Sequence, residues 1–244
     1  MMRVIAAWEF RRLTRHSPGV ASLIALALFP LVHLLPWERI AFFDNPVQGA
    51  VNISSLYAIV VASMICGDAG QLRRSMFWLF QKGLRPQDYS FRAYLVSAAF
   101  GTTFIVLSGV LAAIASLVYD FGVKAAVVSA TSAFLLFAIF STLLLVLGSF
   151  GAHRRTELMM LLIFLPIVSD VFLVRTPHVA RRIAHLALPP VTDAYRATIA
   201  LFNTSWHNAL GHLLHILIFL AVCLLLSFAA QRTRVPVPAR LKLP

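Results

Sequence analysis

GDAGQLRRSMFWLFQKGLRPQDYSFRAY, residues 67–94, is the stretch on which the fold turns. It is the longest polar interruption in a largely apolar chain. It carries five cations: Arg73, Arg74, Lys82, Arg85 and Arg92. Leu72, Met76, Leu79 and Phe80 recur at helical spacing, which predicts a short amphipathic helix. Gly83 is placed to stop that helix and Pro86 to open the next. Long uncharged runs flank the stretch on both sides. A compact cationic loop between two membrane spans offers a docking surface to something in the cytosol.

Composition sets the frame. The chain has 244 residues, of which 60% are hydrophobic and 12% charged. Soluble domains hold roughly 45–50% apolar residues. The excess falls in charge-free apolar runs long enough to mark membrane spans. One all-α integral membrane domain over residues 1–244 is expected, with no soluble domain of its own. Net charge is +12. With no soluble domain to carry it, this charge points to cytosolic loops and anionic lipid heads, not to nucleic acid. Cys66 and Cys223 lie in or beside apolar runs and form no disulfide or metal pattern. No small-residue cleavage site follows the first apolar run, so no cleavable signal is expected.

Six spans emerge in order, behind an amphipathic segment. Residues 2–15 place Met2, Ala6, Phe10 and Leu13 on one helical face, with Arg11, Arg12 and Arg15 nearly opposite. Such a helix suits the membrane interface. The spans are expected at about 20–35, 47–66, 93–118, 125–150, 158–174 and 210–230. Residues 175–207 carry Arg175, Arg181, Arg182, Asp193 and Arg196 and cannot hold another full span. Two short pieces, 179–188 and 192–202, meet at Pro189-Pro190. Neither covers about 30 Å of hydrocarbon at 1.5 Å per residue. A re-entrant helical hairpin in the outer leaflet is expected, with Thr192 as an N-cap. The termini and the two loops on their side hold 15 of the 21 Lys and Arg. The excess of cations places both termini and the 67–92 loop in the cytosol.

Catalytic motifs are missing. The sequence has no phosphate-binding GxxxxGK[ST], no HExxH and no GxSxG. No enzyme activity is expected of the chain alone, and no metal site or cofactor. Asp170 reads as an acid near membrane depth and therefore as a functional candidate. His212 and His215 share one face of the last span. His207 and His212 are read as interfacial and His215 as bonding a neighbouring helix. Haem ligation would need a partner imidazole at matching depth, and His33 is the candidate.

The layout resembles the membrane subunit of an ABC-2 type (type V) ABC transporter. That family's first cytosolic loop reads acid-x-x-Gly-Thr-Leu-Glu, an apolar run, then Pro-x-Ser-Arg. Here Asp68, Gly70, Leu72 and Arg92 match, Gln71 and Arg73 replace Thr and Glu, and Pro86 is shifted. The segment from Ala187 to Arg196 is similar to the family's Leu-Asn-Pro-Leu-Thr segment, which ends on an Arg. The resemblance implies a coupling helix that docks a separate cytosolic ATPase through Leu79, Phe80, Gln81, Lys82, Gly83, Leu84, Arg85 and Asp88. It implies a gate at Pro189, Pro190, Thr192 and Asp193, and a second membrane subunit, identical or homologous. ATP and Mg²⁺ would bind the partner ATPase. The substrate would be amphipathic or lipid-like and the location the bacterial inner (plasma) membrane. Two other classes compete: a haem- or quinone-handling subunit of a redox complex, and a membrane scaffold without a transport cycle. A secondary transporter is disfavoured by the scarcity of intramembrane acids.

Overall fold

The computed structural model describes residues 2–15, 57–67, 86–118, 123–150, 157–159, 161–162, 188–203 and 205–233. These residues are almost wholly helical, with no strand among them. Helix α1 is Met2–Arg15, α2 is Tyr57–Cys66, and α3 is Pro86–Val118. Helix α4 is Val123–Ser149, α5 is Val191–Phe202, and α6 is Trp206–Thr233.

Three of these helices are long and apolar enough to cross a membrane: Phe91–Ile114 of α3, Ala126–Ser149 of α4 and Trp206–Ala230 of α6. They coincide with the third, fourth and sixth expected spans. The chain is a membrane protein on this ground. Helix α2 covers the C-terminal half of the second expected span, 47–66. The first span and nearly all of the fifth lie outside the described residues, as do Asp170 and His33.

Helix α3 begins at Pro86, where a ring without an N–H costs no hydrogen bond. Asp88 in its first turn faces the positive end of the helix dipole. The apolar helices satisfy every interior N–H within themselves, as a lipid environment requires. Apolar burial between them gains little, because lipid is as apolar as leucine. Close packing and polar contacts decide which faces meet.

Helix α4 is the centre. Of its spanning window 61% is buried within the chain, against 39% for α3 and 17% for α6. Leu136, Phe137, Ile139, Phe140 and Leu144 of α4 form the core with Ala58, Val61, Ala62 and Ile65 of α2 and Ile105 of α3. Hydroxyls tie the faces together. Tyr57 of α2 bonds Ser108 of α3 at 2.5 Å. Tyr94 of α3 reaches Thr142 at 3.2 Å and Ser141 at 3.4 Å on α4. Each such interhelical bond is worth about 0.6–2 kcal/mol in a bilayer.

Helix α1 has the expected length, and residues outside its expected apolar face pack on α3. Ile5, Trp8 and Glu9 turn toward Tyr89, Ala93 and Val96 of α3. Phe10, expected on the apolar side, is 54% exposed, and its ring lies 6.0 Å from that of Phe100 between centroids. Glu9 is fully buried, and the hydroxyls of Tyr89 and Ser97 donate to its two oxygens at 3.5 and 3.4 Å. A buried carboxylate is tolerated because donors meet it. The amphipathic N-terminal helix is thus clamped to the base of α3.

Candidate functional site

Helix α5 is 12 residues long, too short to span the hydrocarbon. Pro189 and Pro190 are buried ahead of it. Neither has an N–H to satisfy, so the chain can enter the packed interior there without an orphan donor. Pro190, not Thr192, occupies the N-cap position, and no side chain caps the helix. The Val191 N–H bonds the Pro189 carbonyl at 2.7 Å and the Ala194 N–H the Pro190 carbonyl at 3.1 Å. Thr192 therefore lies inside the first turn, half-buried. The expectation that it caps the helix is corrected: the proline pair shifts the N-cap two residues earlier, from 192 to 190.

The inner face of α5 is small: Val191, Ala194, Ala197 and Thr198 are buried. Small residues let α5 approach α4 and α6 closely. This approach brings Asp193 to the imidazoles of α6. Asp193 Oδ1 lies 2.6 Å from His212 Nδ1, and Oδ2 lies 2.8 Å from His215 Nδ1. The histidines are three residues apart, so both rings rise from one helix face. The Asp193 side chain is 13% exposed, that of His212 28% and that of His215 20%.

The geometry assigns the hydrogens. An ionised carboxylate only accepts, so each Nδ1 donates. Both bonds are short enough to be charge-assisted. Each ring keeps Nε2 for a second partner. The cluster ties α5 to α6 through both bonds.

Among the described residues, no group of three or more His, Cys, Asp or Glu is placed to hold a metal ion. In this cluster both carboxylate oxygens already accept a ring N–H. His215 bonds a neighbouring helix, as its place in the last span predicts. His212 does the same, although its sequence position reads as interfacial. His207 is exposed at the start of α6.

The chain matches no known protein family, no curated protein and no solved structure in comparisons with each.

Other expected site residues fall as follows. Asp88 is exposed and Arg92 half-buried at the base of α3. Asp68, Gly70, Leu72, Leu79, Phe80, Gln81, Lys82, Gly83, Leu84 and Arg85 lie outside the described residues. Glu9 was given no role by the sequence, and its burial against Tyr89 makes it part of the junction between α1 and α3.

Proposed function

We propose that this chain is the membrane subunit of an ABC-2 type transporter, which exports an amphipathic or lipid-like molecule with ATP hydrolysed on a separate cytosolic ATPase. The observation that carries the reading is the continuity of α3. It runs unbroken from Pro86, at the edge of the cationic loop, into the spanning window that starts at Phe91. A partner that moves the loop moves the span with it.

The contacts around α3 give that motion a route. Glu9, Ile5 and Trp8 hold α1 to its base. Tyr94 links it to Thr142 of α4. Helix α4 packs on α5 and α6, and Asp193 joins those two. ATP-driven closure beneath the membrane would tilt α3, shift α4, and open or close the gate at Pro189, Pro190, Thr192 and Asp193, at the N-terminal end of α5. A second membrane subunit completes the pathway, and both termini face the cytosol of a bacterial inner membrane. The chain's own residues perform no phosphoryl chemistry in this scheme; ATP and Mg²⁺ belong to the partner.

Purification of the tagged full chain from its native membrane in mild detergent tests this reading. An ATP-hydrolysing subunit is expected to co-purify in stoichiometric amount. Isolation of the chain without any ATPase, or with a Soret absorption band, would contradict it and favour the scaffold or the redox subunit respectively.

A further inference from the structure

A groove of about 610 Å³ lies between α5 and α6, just beyond the carboxylate cluster. Ile199, Ala200 and Gly211 line it, together with Arg196, His207 and His212. Among the described residues, no carboxylate lines it. Asp193, three residues before Arg196, has both oxygens committed to His212 and His215. Among the described residues Arg196 pairs with no acid. Among the described residues, the groove thus gathers a guanidinium and ring nitrogens with no carboxylate of its own. Position 211 is open: a Cβ there would meet nothing within 4 Å.

An apolar track continues from the groove. Leu214, Ile218, Val222 and Leu225 follow Gly211 at spacings of three or four along α6, and all are exposed. From Gly211 to Leu225 this stripe runs about 21 Å at 1.5 Å per residue. Cationic groove and apolar stripe share one helix face. Trp206, 65% exposed at the first residue of α6, marks the level of the membrane interface.

We propose that this groove binds the phosphate-type oxyanion of an anionic amphiphile, with its hydrocarbon chain laid along Leu214, Ile218, Val222 and Leu225. Arg196 supplies a forked donor pair suited to such an oxyanion. His207 and His212 supply further donors when protonated. The inference goes beyond the transporter reading and does not depend on it, because binding is measured without ATP or an ATPase.

The test uses the purified full chain in neutral detergent, titrated with phosphatidylglycerol, phosphatidylcholine or inorganic phosphate and read by native mass spectrometry. Phosphatidylglycerol is expected to bind about tenfold tighter than phosphatidylcholine, whose choline cation competes with Arg196 for its own phosphate and is repelled by the groove. Arg196→Gln is expected to remove most of that preference. Gly211→Leu, which fills the groove without touching its charges, should weaken phosphatidylglycerol as well. Arg3→Gln removes an equal charge from α1 and should change nothing. Equal binding of the two lipids by the wild-type chain would overturn the proposal. So would an equal loss in Arg3→Gln, or unchanged binding in both groove variants. Inorganic phosphate that binds as tightly as phosphatidylglycerol would also overturn it, since the site would then belong to a free oxyanion and not to a lipid.

Discussion

Asp193→Ala is expected to loosen the α5–α6 hairpin by about 2–4 kcal/mol, since hydrogen bonds to a charged group each contribute roughly 1.5–3 kcal/mol and these two share one acceptor. For a chain of this size that corresponds to a fall of about 5–15 °C in the thermal midpoint. The loss has two parts. The His212 and His215 N–H groups lose their acceptor, and α5 loses its polar tie to α6. His212→Gln and His215→Gln should each cost about half as much, because the carboxylate keeps one donor. In a double-mutant cycle His212→Gln should add little to Asp193→Ala, since contacting residues are not additive. The measurement is tryptophan fluorescence or light scattering against temperature, in detergent. An Asp193→Ala protein that melts with the wild type would show that packing of Val191, Ala194 and Ala197 holds α5 unaided.

Gly101→Ala carries the second large effect. A Cβ at Gly101 would overlap the Phe137 ring, with one ring carbon only 2.6 Å away and another nearer still. Glycine in an exposed helix interior costs about 0.5–1 kcal/mol relative to alanine, so the substitution would stabilise a free helix. Here the overlap wins. Phe137 is 2% exposed on the most buried helix and cannot swing aside. Overpacking of this kind costs about 1–3 kcal/mol. The expected result is a lower thermal midpoint for Gly101→Ala and a partial return for Gly101→Ala with Phe137→Leu, which frees the volume. Stability of the single variant at the wild-type level would mean that α3 and α4 do not meet at this crossing.

Much of the local structure was legible in the sequence, and the pairings were not. Helix α1 spans the residues that its periodicity predicts, and α3 opens at the proline predicted to open it. These features are written in neighbouring residues. The face of α1 is not. Periodicity puts Phe10 on the apolar face and gives Glu9 no role, yet Glu9 is buried because Tyr89 and Ser97, 80 and 88 residues away, supply donors. No local pattern carries that information. Small residues hide in the same way. Gly101 reads as one more apolar position until Phe137 is known to lie against it.

The Asp193 cluster sits between these cases. The sequence picks out Asp193 as a gate residue and His212 and His215 as sharing a face, but it does not join them. A signal was present. Helix α5 ends at residue 202 and α6 begins at 206, so an antiparallel hairpin sets residue 193, eleven before their midpoint, opposite residue 215, eleven after it. One helical turn closer to the bend lies 212. Reflection about the bend would have paired the acid with both histidines. The N-cap was misjudged for a different reason. Thr192 has the side chain of a cap, but the two prolines before it fix the backbone first.

The central claim is that the cationic loop ahead of α3 is the handle by which a separate ATPase moves the spans. A cysteine at Leu84, in the otherwise cysteine-free full chain, tests it most directly. In native membranes it is expected to cross-link to a cytosolic ATPase, and more strongly than a cysteine at His153, between the fourth and fifth expected spans. Leu84→Asp, which removes apolar burial worth roughly 1.5–3 kcal/mol from that contact, should abolish coupled ATP hydrolysis while the chain still inserts. A Leu84 cysteine that forms no cross-link to an ATPase, together with full coupled activity in Leu84→Asp, would contradict the claim.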